Sequence, residues 1–151
     1  MLEDINISNL LLSEKQKNTI LPGSDFYRLY YSDDAVSLNG IYMNIFILNI
    51  NIQKYFNKIK CIFDETINKE CIEKILNIEK SILNNFKSYM NTEPEFIIED
   101  QLKQGFIKIF TEKNITYGKY KKISLILKIS GLWVQDKKYG LTFRFLINHQ
   151  Q

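Results

Sequence analysis

The sequence is short of the residues from which most enzymes build their chemistry. It has one histidine, His149, two cysteines, Cys61 and Cys71, and a single alanine, Ala35. One imidazole near the end of the chain offers almost nothing from which to assemble a zinc site or a histidine-based triad. The cysteines lack C-x-x-C spacing; one bridge between them stays open, but a secreted disulfide scaffold needs more. Six scattered glycines form neither a Walker-type phosphate loop nor a dinucleotide-binding G-x-G-x-x-G. The pairs Asp33-Asp34 and Glu99-Asp100 read as solvated acidic loops rather than Mg²⁺ ligands, and no spacing gathers them with Asp64 or Glu65. No enzyme, cofactor or metal is expected. Apolar runs are short too. Ile41 to Ile52 is broken by Asn44, Asn49 and Asn51, well under the roughly 20 residues of a membrane span, so no membrane partner is expected. Met1-Leu2-Glu3-Asp4 lacks the basic start of a secretory signal, which points to an intracellular chain.

What is present is a folding composition. Hydrophobic residues make up 45% and charged residues 25% of 151 residues, which fits one domain over 1–151. The formal charge of +3 is too small to mark a strongly basic nucleic-acid domain, but its distribution is uneven. After Asp100, Lys103, Lys108, Lys113, Lys119, Lys121, Lys122, Lys128, Lys137, Lys138 and Arg144 face only Glu112 and Asp136. The C-terminal third is therefore the part expected to meet anions. The abundance of Ile, Asn and Lys reflects an AT-rich coding bias and carries no functional weight.

Pattern gives the elements. Residues 1 to 20 predict a short helix or strand packed on the body. Phe26 to Tyr31 alternates as a strand, and Asn39-Gly40, between Val36-Ser37-Leu38 and Ile41-Tyr42-Met43, predicts a tight hairpin. Strands are expected at Ile41 to Ile52, Lys58 to Phe63, Phe106 to Thr111, Ile123 to Val134 and Leu141 to Ile147, the last two joined by Asp136-Lys137-Lys138-Tyr139-Gly140. One long helix is marked by Ile72, Ile75, Leu76, Ile82, Leu83 and Phe86, with Asn68 as N-cap and Pro94 beyond its end. From Phe96 onward the apolar period is two. The expected fold class is a β-rich α+β domain, either a small OB-like barrel or a strongly bent antiparallel sheet with one long helix.

Alternation then sorts side chains onto two faces. Leu29, Phe63, Ile107, Ile109, Leu127, Ile129, Phe143 and Phe145 form the expected core. The opposite face carries Phe26, Arg28 and Tyr30, then Lys58 and Lys60, then Phe106, Lys108 and Phe110, then Lys128 and Ser130, then Thr142 and Arg144. Every strand adds a cation to that face, and aromatics flank two of them. Trp133, beside Lys137 and Lys138, is a further stacking platform, and Tyr117 to Lys122 brings Lys121 and Lys122 in a basic aromatic loop. Rings that stack bases and cations that neutralise phosphates are what single-stranded nucleic acid asks for.

The stretch Ile126-Leu127-Lys128-Ile129-Ser130-Gly131-Leu132-Trp133, followed by Tyr139-Gly140-Leu141-Thr142-Phe143-Arg144-Phe145, resembles the C-terminal strand pair of small replication-associated proteins of large DNA viruses. These are grouped with the OB-fold single-stranded DNA-binding proteins of phages and nucleocytoplasmic large DNA viruses. Phe26 to Ser32 leading into Ser37 to Tyr42 is similar as well. The resemblance covers about a third of the chain. It implies a sequence-tolerant binder that coats single-stranded DNA in viral-type replication or recombination, without a cofactor, in the host nucleus or at a cytoplasmic replication site. It would place binding on Lys128, Trp133, Arg144, Arg28 and Tyr30. Many such proteins end in an acidic tail, whereas this chain ends Leu146-Ile147-Asn148-His149-Gln150-Gln151. RNA as competing ligand, homo-oligomerisation and contact with replication proteins are left open. The alternative is a non-enzymatic protein-interaction or virion-associated structural module, with Ile41 to Ile52 as an edge strand that recruits a partner.

Overall fold

β-Branched and aromatic residues crowd the segments that the structure makes extended. In a computed structural model describing residues 4–110 and 115–148, a 3₁₀ turn at Ile7–Asn9 leads into β1 (Leu10–Leu12), β2 (Gln16–Lys17), β3 (Asp25–Ser32), β4 (Ser37–Asn39), β5 (Ile41–Tyr55) and β6 (Lys58–Phe63). Then come α1 (Lys69–Asn85), α2 (Lys87–Met90), β7 (Glu93–Pro94), α3 (Ile97–Lys103), β8 (Phe106–Phe110), β9 (Gly118–Val134) and β10 (Lys138–Ile147). Thr111, Glu112, Lys113 and His149 lie outside the described residues, as does the side chain of Phe110.

The longest strand, β9, is the spine of one sheet. Along one edge it pairs antiparallel with β10. Along the other it pairs with β5 through residues 118–129 and with β3 through residues 131–134. The path continues from β5 to β6 and β8, and from β3 to β1, while β7 adds a two-residue parallel pairing to β10. The sheet curls until β8 lies beside β10, yet no ladder joins them among the described residues. The closed OB-like barrel is therefore not formed; the strongly bent sheet is.

Its concave side holds the core. Ile41, Met43, Ile45 and Ile47 of β5 face Ile129, Leu127, Leu125 and Ile123 of β9, joined by Ile59, Cys61, Ile107, Ile109 and Phe145. Across this floor α1 lays Ile75, Ile82 and Leu83. Tyr139 of β10, fully buried, donates its hydroxyl to the Leu83 carbonyl and so satisfies a group in the last turn of that helix.

Four sequence expectations need correction. The hairpin lies not at Asn39-Gly40 but one step earlier. Asp33 accepts from the Ala35 and Val36 amides at 2.8 Å each and turns β3 into β4, whereas Gly40, at φ +91°, bends the chain from β4 onto β5. A Cβ on Gly40 would stand 2.9 Å from the Ile129 carbonyl oxygen, so the corner requires glycine in both conformation and space. Asn68 sits at the start of α1 without capping it. Its amide instead takes the Leu48 N–H at 2.8 Å and gives to the Leu48 carbonyl at 2.9 Å, in the manner of a neighbouring strand. Residues 97–103 are helical rather than extended, because the Glu79 carboxylate accepts from the Ile98 and Glu99 amides at 2.8 and 2.9 Å and caps α3 from another helix. Finally, β5 is no edge strand: β9 and β6 flank it.

Candidate nucleic-acid interface

The convex side of the sheet gathers the cations. Directly opposed residues of antiparallel strands point to the same face, so the β9–β10 register sets Lys128 against Arg144, and the β5–β9 register sets Tyr42 against Lys128. Next to them β3 crosses β9 closely. A Cβ on Gly131 would meet the Tyr27 carbonyl oxygen at 2.2 Å and the Phe26 ring at 2.6 Å, so only glycine lets Phe26 and Arg28 approach Lys128. The result is a cleft of about 560 Å³, lined by Arg28, Lys128, Arg144, Phe26, Phe143 and Lys17 among others, with no acidic residue among the described residues of its wall. Arg28 is held in place: its guanidinium lies 5.7 Å from the Phe26 ring centroid and donates to Asn39 Oδ1 at 3.2 Å.

Two members of this cleft were not legible as such. Lys17 comes from a strand of two residues, and the rest of that wall is the 18–21 segment, which has no periodicity. Phe143 keeps its expected place against the core, opposite Ile129 and edge-on to Phe145, but is only half-buried beside a register shift at Thr142/Phe143, so part of it also lines the cleft.

The other expected site residues divide. Trp133 reaches the cleft but is only 6% exposed, lying against Gly140 of the opposite strand, where a Cβ would come within 2.7 Å of the indole. It is a structural wall and offers no free face for stacking. Tyr30 is half-buried between Leu11 and Asn39 and does not line the cleft. Lys137 and Lys138 lie at the β9–β10 turn, outside the cleft, and Lys138 meets Glu95 at 3.6 Å. Lys121 is exposed near the start of β9. Lys122 stands with its ammonium 4.4 Å from the Phe46 ring centroid.

Lys60 and Lys108 form a second group. They oppose each other across β6 and β8, and Lys60 lies 4.2 Å from the Phe106 ring and 5.3 Å from that of Tyr55. Phe106 is itself buried, with both ammoniums near its ring. Among the described residues no cluster of histidine, cysteine and carboxylates is arranged to hold a metal ion, and no helix is long and apolar enough to cross a membrane. Burial pushes the Cys61 thiol up to about 12, so it stays protonated, and Cys71 is a separate free thiol. No family model, curated protein or solved structure matches the chain.

Proposed function

We propose that the protein binds single-stranded nucleic acid, DNA foremost, with little regard to sequence. The observation that carries this reading is the direct opposition of Lys128 and Arg144 in a cleft that Arg28 and Lys17 also line. Like charges set across a strand pair destabilise a sheet, and a phosphate between them converts that repulsion into attraction. Aromatic rings beside the cations supply the other half of the recognition. Phe46, 50% exposed, has the Lys122 ammonium 4.4 Å from its ring centroid. A cation–π contact at an exposed site contributes about 0.5–1 kcal/mol, whereas a stacked base contributes about 1–3 kcal/mol, so a base can displace the ammonium toward a phosphate. The likeness of the β9–β10 stretch to viral single-stranded DNA-binding proteins fits a coat on strands exposed in replication or recombination.

Anisotropy of a labelled oligo-dT measured across a salt series tests this. Log affinity should fall linearly with log salt, with a slope of about −0.7 per phosphate contacted, and Arg144→Gln should make the slope shallower. Absence of binding at low salt sinks the reading; an oligo-rU that binds more tightly would reassign the ligand to RNA. A protein-interaction module is the second reading. Phe46 and Leu48, 50% and 40% exposed on the same face, favour it, and a tight oligomer that buries this face would decide for it.

A further inference from the structure

The tip of the β5–β6 hairpin carries a feature the cleft does not use. Phe56 is 82% exposed and adopts φ +53°, a left-handed conformation that disfavours a bulky side chain. Neither burial nor the turn gives a reason for phenylalanine there. Its ring packs edge-on to Tyr55 at 5.0 Å, and Tyr55 in turn lies against Phe106 at 6.3 Å. Over these rings stand Lys60 and Lys108, opposed across β6 and β8. Neither ammonium meets a carboxylate among the described residues. Two like charges are again set against each other, as in the cleft, here beside the exposed ring of Phe56 and the half-buried ring of Tyr55.

The two groups belong to one face. Asn49, at φ +51°, shifts the alternation of β5, so that buried residues run Ile41 to Ile47 by odd numbers and then resume at Ile50 and Ile52. Tyr42, Phe46 and Leu48 before the shift and Gln53 and Tyr55 after it therefore all lie away from the core. Between the two groups Lys122 stands over Phe46. From Tyr42 to Tyr55 the strand covers about 40 Å at roughly 3.3 Å per residue.

We infer that a single nucleic-acid strand follows the convex face along β5, anchored in the cleft at one end and stacked on Phe56 and Tyr55 at the other, with phosphates at Lys60 and Lys108. This rests on the proposed nucleic-acid reading. It requires affinity to rise with oligonucleotide length by more than the number of added phosphates, because a strand long enough to reach both groups binds them in one event.

Labelled dT4, dT8, dT12 and dT16, spanning the about 4–16 nucleotides that single-strand sites usually occupy, separate the ideas. The variants are Phe56→Asn, which suits the left-handed backbone, the double variant Lys60→Gln with Lys108→Gln, and Lys128→Gln with Arg144→Gln as the cleft control. Wild type should gain at least tenfold between the shortest oligonucleotide and the one that first spans the face. Both tip variants should abolish that gain while leaving dT4 affinity within twofold, and Phe56→Asn should melt no lower than wild type. If the tip variants bind dT16 as wild type does while the cleft variants fail, the inference falls and the cleft stands. If the cleft variants bind as wild type and the tip variants fail, the cleft reading falls and the strand anchored at both ends falls with it. Loss of a concentration-dependent dimer in Phe56→Asn, with dT16 affinity unchanged, would assign the ring to a second copy of the chain and overturn the inference.

Discussion

Lys60 and Lys108 repel each other in the free protein, and that repulsion is measurable without any ligand. Removing one member of a directly opposed like-charged pair returns about 0.2–1 kcal/mol. Lys108→Gln keeps the closer contact of Lys60 on Phe106, so the free variant should melt about 1–3 °C higher than wild type at low salt. The difference should vanish near 1 M salt, where screening reaches only about 3 Å. Calorimetry of the two proteins checks this; a variant that melts lower at low salt would mean that Lys108 serves the fold. At this scale the cations of the convex face were legible by parity, since Arg28, Lys128 and Arg144 alternate with apolar partners on extended strands. Trp133 was misread for a reason no single strand reveals: its burial depends on Gly140 in the facing register position.

Helix α3 is the element whose existence depends most on a distant group. Its seven residues hold only Ile98 and Leu102 in the core, too little to mark a helix in sequence. The missing ingredient is Glu79, an acid on the apolar stripe of α1 that is fully buried and caps α3 with both oxygens. Burial pushes its carboxyl from 4.5 up to about 7; the two amide hydrogen bonds oppose that rise, and the nearby charges of Glu99 and Asp100 add to it. The folded protein thus holds this proton more tightly than the unfolded chain. Its contribution to stability is complete below pH 4.5 and is lost as pH rises toward 7, on the order of 3 kcal/mol over the window. Glu79→Gln removes the titration, so the stability difference between wild type and variant should shift by that amount between pH 4.5 and 8 in urea melts. A difference independent of pH would show that Glu79 does not titrate in this range. The long strands and α1 were readable because many residues repeat one period. The corner at Gly40 was not, because Asn-Gly offers positive φ to a reversing hairpin and to a bend alike.

Across the whole molecule, one curved sheet separates two jobs. Its concave side spends the isoleucines and leucines on a core under α1, which leaves the convex side free to carry cations and exposed rings such as Phe46 and Phe56. That division explains why a formal charge of only +3 is compatible with an anion-binding face: Glu93, Glu95 and Glu99 engage Lys87, Lys138, Lys80 and Lys103 elsewhere, and none of the described ion pairs touches Lys60, Lys108, Lys122 or Lys128. The sheet's failure to close was not legible, because strand count and alternation are the same for a barrel and for a bent sheet. The most direct measurement is photocrosslinking of a dT16 carrying 5-iodouracil, which couples on irradiation to aromatic side chains in contact, followed by peptide mapping. Crosslinks at Tyr42, Phe46 and Phe56 are the predicted result; crosslinks confined to Tyr89 and the helical side, or none at all, would contradict the account.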